Sequence, residues 1–228
     1  MKKILSVVLL TVLSTVSFAQ NPVGRFTVYP KLGVNLAQMS EAEFYVEGSD
    51  YVTTTQMKQG FTGGVEVAYQ VIQPLSVSVA AMFSNQGVKY KDFSMSTDDT
   101  FESWSDVAYS MNYLNLPFMA NLYVTKGLAL KVGVQVGFLM QSQFRSRVEY
   151  GKKVGEMWQT TVETTKMNTK DIFNTVDFSL PIGISYEYKN IVLEARYTIG
   201  LSNLYKVDNE LSTRHQMLTF TLGYGFDL

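Results

Sequence analysis

The 228 residues carry 19 Lys and Arg against 20 Asp and Glu, and this near-neutrality lacks the basic patch or stripe that a nucleic-acid partner requires. Cys is absent, so the chain can use neither a disulfide framework nor an N-terminal lipid-bearing cysteine, and stability must come from backbone pairing and burial. The length suits one folded domain, and 14 Tyr and 14 Phe make it aromatic-rich.

Lys2 and Lys3 precede an apolar run, Ile4 to Val16, and a small-x-small site at Ser17-Phe18-Ala19. This pattern predicts a cleaved signal peptide over residues 1–19 and a mature domain over 20–228. The run is too short to span a bilayer, which takes roughly 20 apolar residues in a helix. Any membrane insertion of the mature chain must therefore use strands.

The first strand is predicted over Arg25 to Ala37, with Val28, Leu32, Val34 and Leu36 on one face and Tyr29, Lys31, Gly33 and Asn35 on the other; Pro30 weakens it locally. Ser40 to Lys58 is acidic, lacks an apolar face and reads as a loop. Alternation resumes at Phe61 to Val71 and, after a tight turn at Ile72-Gln73-Pro74, at Leu75 to Phe83, which makes a hairpin. Lys91 to Asp106 reads as a second long polar loop.

The fourth strand, Ser110 to Val124, is joined by Thr125-Lys126-Gly127 to a fifth carrying Leu128, Leu130, Val132, Val134, Val136 and Phe138. Gln143 to Asp171, rich in charge and Thr, is expected to be the longest loop, with strand extensions at its base. The sixth strand runs from Val176 to Tyr188, Lys189-Asn190 turns the chain, and the seventh begins at Ile191. Asn203 to Thr213 is the last loop before the terminal strand, in which Leu218, Phe220, Leu222, Tyr224, Phe226 and Leu228 share a face.

Eight strands with alternating long and short connections predict an all-β fold: an eight-stranded antiparallel up-and-down transmembrane β-barrel of the cell outer membrane. Its short turns would be periplasmic and its long loops extracellular. The alternative, a soluble carrier barrel, would put charge outside and line a cavity with the apolar face. Here the polar faces are instead small and charge-poor, which suits a narrow lumen. Lys31, Glu66, Lys131, Asp177, Glu187, Glu194 and Arg196 all fall on that face and are expected to form one structural charge network inside the barrel. A lumen filled this way leaves no open pore. Tyr186, Tyr188, Tyr224 and Phe226 suit an interfacial girdle.

Glu194 and Arg196 could be read as a relay, but paired charges that hold the lumen shut and fix register account for them. His215, the sole histidine, lies near Asp208 and Ser212; a lone His at a loop–strand junction reads as solvated or interfacial rather than catalytic. No metal or cofactor site has a ligand set. The expected partners are outer-membrane lipid, the barrel-assembly machinery during biogenesis and a protein at the extracellular loops. A barrel-borne hydrolase or acyltransferase is the enzymatic alternative.

Tyr113-Leu114-Asn115-Leu116-Pro117-Phe118 resembles the "Y-L-x-x-P" strand of the PorT-like family of small outer-membrane β-barrel proteins. Leu130 to Gly137, Asp177-Phe178 with Gly183, and Leu193 to Tyr197 followed by Gly200-Leu201-Ser202-Asn203-Leu204 extend the resemblance. It implies an eight-stranded outer-membrane barrel, in some members accessory to a protein-secretion apparatus, and no catalytic residues carry over. The terminal Leu222, Tyr224, Phe226 and Leu228 resemble the aromatic signal read by the barrel-assembly machinery, with Leu in place of a final Phe.

Overall fold

The computed structural model describes residues 22–40, 44–45, 52–206 and 213–228; the predicted signal peptide lies outside them, as do Asp208 and Ser212. Eight long strands follow in chain order: β1 Phe26–Met39, β2 Thr55–Ile72, β3 Leu75–Tyr90, β4 Thr100–Tyr123, β5 Leu128–Val154, β6 Val176–Tyr188, β7 Ile191–Gly200 and β8 His215–Tyr224. Each pairs antiparallel with the next, and β8 returns to β1, where Lys31 lies opposite Gly223 and Met39 opposite His215. The ring is closed. The terminal strand is interrupted at Gly225, and Phe226–Asp227 completes the seam against Thr27 and Val28.

Closure satisfies the backbone polar groups without water, which is what a lipid environment demands. The side chains divide as the alternation requires. Leu32 is 74% exposed and Lys31 3%, although they are neighbours in β1. Leu32, Val34, Phe61, Val132, Phe178 and Leu222 belong to an outward apolar belt, whereas Asn35, Thr62, Gln135, Ser179 and Thr198 are buried inside. At the short-turn end the belt carries Tyr186, Tyr188, Tyr224 and Phe226, all exposed, with Phe26 and Tyr69 ring to ring at 4.7 Å.

Two long segments differ from expectation. A spanning strand needs roughly 9 to 11 residues, yet β4 has 24 and β5 has 27. The predicted loops over 91–106 and 143–171 are largely strand. Phe93–Ser96 pairs with upper β4, upper β4 with upper β5, and upper β5 with a further strand, Met157–Asn168, across a tight turn in which Gly155 adopts φ +66°. A four-stranded sheet thus rises from one side of the barrel, beyond the apolar belt.

The face pattern inverts where the sheet leaves the belt. Below, apolar side chains point out; above, Phe144 and Val148 are buried inside while Arg145 and Arg147 are exposed outside. In β5 the apolar stripe, Leu128 to Phe138 and then Phe144 and Val148, keeps one parity, with Leu139 the inward exception. The register shift opposite Asn112 and Tyr113, which leaves Met140 as the extra residue of a bulge, turns that stripe from the outer to the inner face. Water outside the upper sheet makes this the favourable arrangement, because the apolar side chains there can be buried only inward.

Candidate functional site

The inward face of the barrel builds a charge cluster at one level. Lys31 comes from β1, Glu66 from β2, Lys131 from β5, and Glu194 and Arg196 from β7. Lys31 Nζ lies 2.8 Å from Glu66 Oε2 and 2.7 Å from Glu194 Oε2. Lys131 Nζ lies 2.9 Å from Glu66 Oε1 and 2.8 Å from Glu194 Oε2. Arg196 donates from Nε to Glu194 Oε1 at 2.7 Å, adds a contact from Nη2 to the same oxygen, and approaches Glu66 Oε2 at 3.7 Å. The side chains of all five are 10% exposed or less.

On β6 the residue at this level is Gly183, opposite both Lys131 and Arg196. A Cβ there would stand 2.7 Å from the Ala195 carbonyl oxygen and 3.2 Å from Arg196 Cα, so only glycine leaves room for the guanidinium's strand. Three cations and two carboxylates interleave so that each cation meets both anions. Buried charges persist when they are paired in this way.

The other two expected members do not join the cluster. Asp177 is six residues from Gly183 along β6, about 20 Å at a strand's rise. It instead accepts a hydrogen bond from Ser202 Oγ at 2.6 Å. Glu187, four residues to the other side, accepts one from Tyr29 Oη at 3.1 Å and faces the cluster across a void of about 20 Å³. Strand tilt is the reason. Parity places a residue on the inner face, but its height is set by register, and β6 is long enough for its inward residues to sit at three different levels.

A second void of about 20 Å³ lies against Arg196, Thr198, Thr219 and Thr221. Each has room for about one water, not for a channel. Above it, the lumen ends in an apolar plug built from the inverted upper faces: Met39, Val88, Met111, Tyr113, Leu139 and Phe144 pack with Phe173 and Leu204. Phe173 and Tyr205 form an isolated β-bridge, and Asn174 Nδ2 donates to the carbonyls of Asn203 and Tyr205, which ties the last two connections over the plug. Burial raises the Tyr205 phenol above its ordinary range, so it stays neutral. Purified protein in a planar bilayer is expected to give no porin-like conductance; steady porin-like steps would show that the plug and cluster do not close the lumen.

His215 is in this plug and not at a wet surface. It is 4% exposed, its Nε2 sits 3.3 Å from Tyr113 Oη, and the two rings meet edge to face at 5.3 Å. Its position opposite Met39 at the top of the β1–β8 seam gives the reason: a strand end beneath an apolar plug is dry. Among the described residues, no three His, Cys, Asp or Glu side chains converge as metal ligands.

A family model described as an outer membrane protein beta-barrel domain matches residues 18–206, most of the chain. The chain belongs to that outer-membrane β-barrel family. It is similar in fold to solved members of the outer-membrane barrel class at low identity. Ail, the attachment invasion locus protein of Yersinia pestis, matches at 11% identity and TM-score 0.43, over 90% of this chain and 100% of that one. Neisserial surface protein A matches at 13% and 0.42, over 88% and 97%. The N-terminal barrel domain of Pseudomonas aeruginosa OprF matches at 11% and 0.36, over 90% and 100%. No curated protein sequence matches this outer-membrane barrel. The family places it in the outer membrane, in contact with lipid.

Proposed function

We propose that the protein is a structural and binding protein of the outer surface that works through the sheet rising above its closed barrel, and that it catalyses no reaction. The observation that carries this reading is the strand Met157–Asn168, all twelve residues of which are exposed although it is regular and fully paired to β5. A barrel that needed only to span would end at the belt. On the sheet's inner face, Glu102, Tyr150, Lys152, Gln159 and Thr161 line a cavity of about 430 Å³, within the size range of ligand pockets.

Replacing residues 148–163 by a two-residue turn tests the reading. The shortened chain is expected to keep the heat-modifiable gel migration of a folded barrel and to lose whichever outer-surface protein co-purifies with the full chain. Undiminished co-purification would contradict it.

The finer family reading, PorT-like, is supported by Tyr113 and Pro117, which are both fully buried on the inner face, and by the room Gly183 leaves for Arg196. Accessory service to a secretion apparatus is what that resemblance implies. Export by cleavage after Ala19 rests on the small-x-small site, and recognition by the barrel-assembly machinery rests on the outward row Leu222, Tyr224, Phe226 and Leu228.

A further inference from the structure

The sheet that rises above the barrel ends in an unprotected edge. Met157–Asn168 is its last strand, and among the described residues nothing pairs with its outer side. The ladder shows which backbone groups face outward. Lys153 donates its N–H to Asp99, away from the Met157–Asn168 strand, so by antiparallel alternation the hydrogen-bonded pairs with that strand are Val154–Met157, Lys152–Gln159 and onward in steps of two. Trp158, Thr160, Val162, Thr164 and Lys166 therefore turn their N–H and C=O groups to the free edge.

Natural edge strands are usually shielded by proline, bulges, inward charges or shortness. This strand is twelve residues long, has no Pro or Gly, and carries only Glu163 and Lys166 as charges. Four of the twelve residues are Thr, and Trp158 and Val162 stand 46% exposed. Such an edge is a template for another strand.

The occupant can be argued from the strand itself. If two copies pair antiparallel through their free edges, the outward groups demand that even-numbered residues meet even-numbered ones. Of the allowed registers that bring nearly the whole strand into contact, one centres on Glu163 and sets two like charges side by side at a closely spaced pair, which is unfavourable. The other centres on Val162. It pairs Val162 with Val162, Thr160 with Thr164, Thr161 with Glu163, Trp158 with Lys166 and Met157 with Met167. Apolar meets apolar, Thr meets Thr, a cation meets an indole face, and no like charges are opposed.

Direction then decides geometry. The strand runs from the tip of the sheet towards the barrel, and every copy in one membrane runs the same way. An antiparallel partner must come from a copy whose membrane faces the first. We propose that Met157–Asn168 is a self-recognition strand that pairs with the same strand of a second copy across two apposed outer membranes, centred on Val162. The inference rests on the binding role of the upper sheet and names its partner. Roughly 40 Å of strand, at about 3.3 Å per residue, is available for the contact.

Two populations of lipid vesicles carrying the full-length protein test this, with clustering followed by light scattering. Wild-type vesicles are expected to cluster. Val162→Pro removes an outward N–H without touching the ladder to β5, and Val162→Lys sets like charges on the two-fold axis; both are expected to abolish clustering while gel migration still reports a folded barrel. Because the chain has no Cys, register can be read directly. Vesicles bearing Thr161→Cys mixed with vesicles bearing Glu163→Cys should yield a disulfide-linked dimer on mild oxidation, and neither population alone should, since closely spaced antiparallel pairs fall within disulfide reach. Wild-type vesicles that stay dispersed, clustering that survives both Val162 variants, or a dimer from Thr161→Cys alone would each overturn the proposal. Dispersed vesicles together with co-purification that still depends on residues 148–163 would overturn self-pairing alone and leave the binding role of the sheet standing.

Discussion

Glu194→Ala is expected to lower the stability of the folded barrel by about 3 to 5 kcal/mol, the cost of breaking a buried ion pair from one side. Glu194 meets Lys31, Lys131 and Arg196, and its loss leaves three buried cations with Glu66 alone. Urea titration of the heat-modifiable form measures the loss. Substituting all five members together by apolar residues of similar volume is expected to cost far less, because buried ionic clusters gain little over well-packed hydrophobic ones. A cluster that acts to close and register the lumen predicts this contrast. Because these side chains are almost wholly buried, added salt should change neither result much.

Val132→Arg is expected to cost about 2 to 4 kcal/mol in lipid, the price of a cation facing the hydrocarbon at mid-depth. Val132 is half exposed on the outer face, one residue from Lys131, which is buried among carboxylates. The same change at Gln143, on the outer face of the upper sheet beside exposed Arg145, should stay within about 0.5 kcal/mol, as surface substitutions usually do. Equal costs at the two positions, measured by urea unfolding in vesicles, would mean that the belt does not end where β5 passes Met140.

Within the belt the sequence was readable because two solvents act on one strand. Lys31 beside Leu32 and Lys131 beside Val132 declare their faces by parity alone, and the closing pair of β1 and β8 follows from eight such strands. Five of the seven lumenal charges meet for the same reason. Parity carries no height, however, and so Asp177 and Glu187 share the face of the cluster but lie at other levels. Above the belt the reading weakened for a physical cause. Water bathes the outer face there, polar residues are no longer confined inside, and the charge of Arg145, Arg147 and Glu149 resembles that of a loop. Their alternation with Phe144, Val148 and Tyr150 was the available signal, and the bulge at Met140 hid which way it pointed. His215 shows the same limit: its burial comes from the plug of other strands' Met39, Tyr113 and Leu139, which no local pattern around residue 215 announces.

The arrangement joins a static lower half to an exposed upper one. Charges and threonines fill the spanning barrel, an apolar plug caps it, and the proposed binding surface stands on strands continuous with the wall, so its position is fixed by the same ladder that closes the barrel. The most direct test of this account is cysteine labelling on intact cells with a membrane-impermeant maleimide, in a chain that supplies no cysteine of its own. Cys placed at Glu156, in the turn at the tip of the sheet, is expected to label on intact cells, whereas Cys at Lys126, in a short turn, should label only after the outer membrane is opened. Labelling of Lys126→Cys on intact cells, with Glu156→Cys protected, would contradict it.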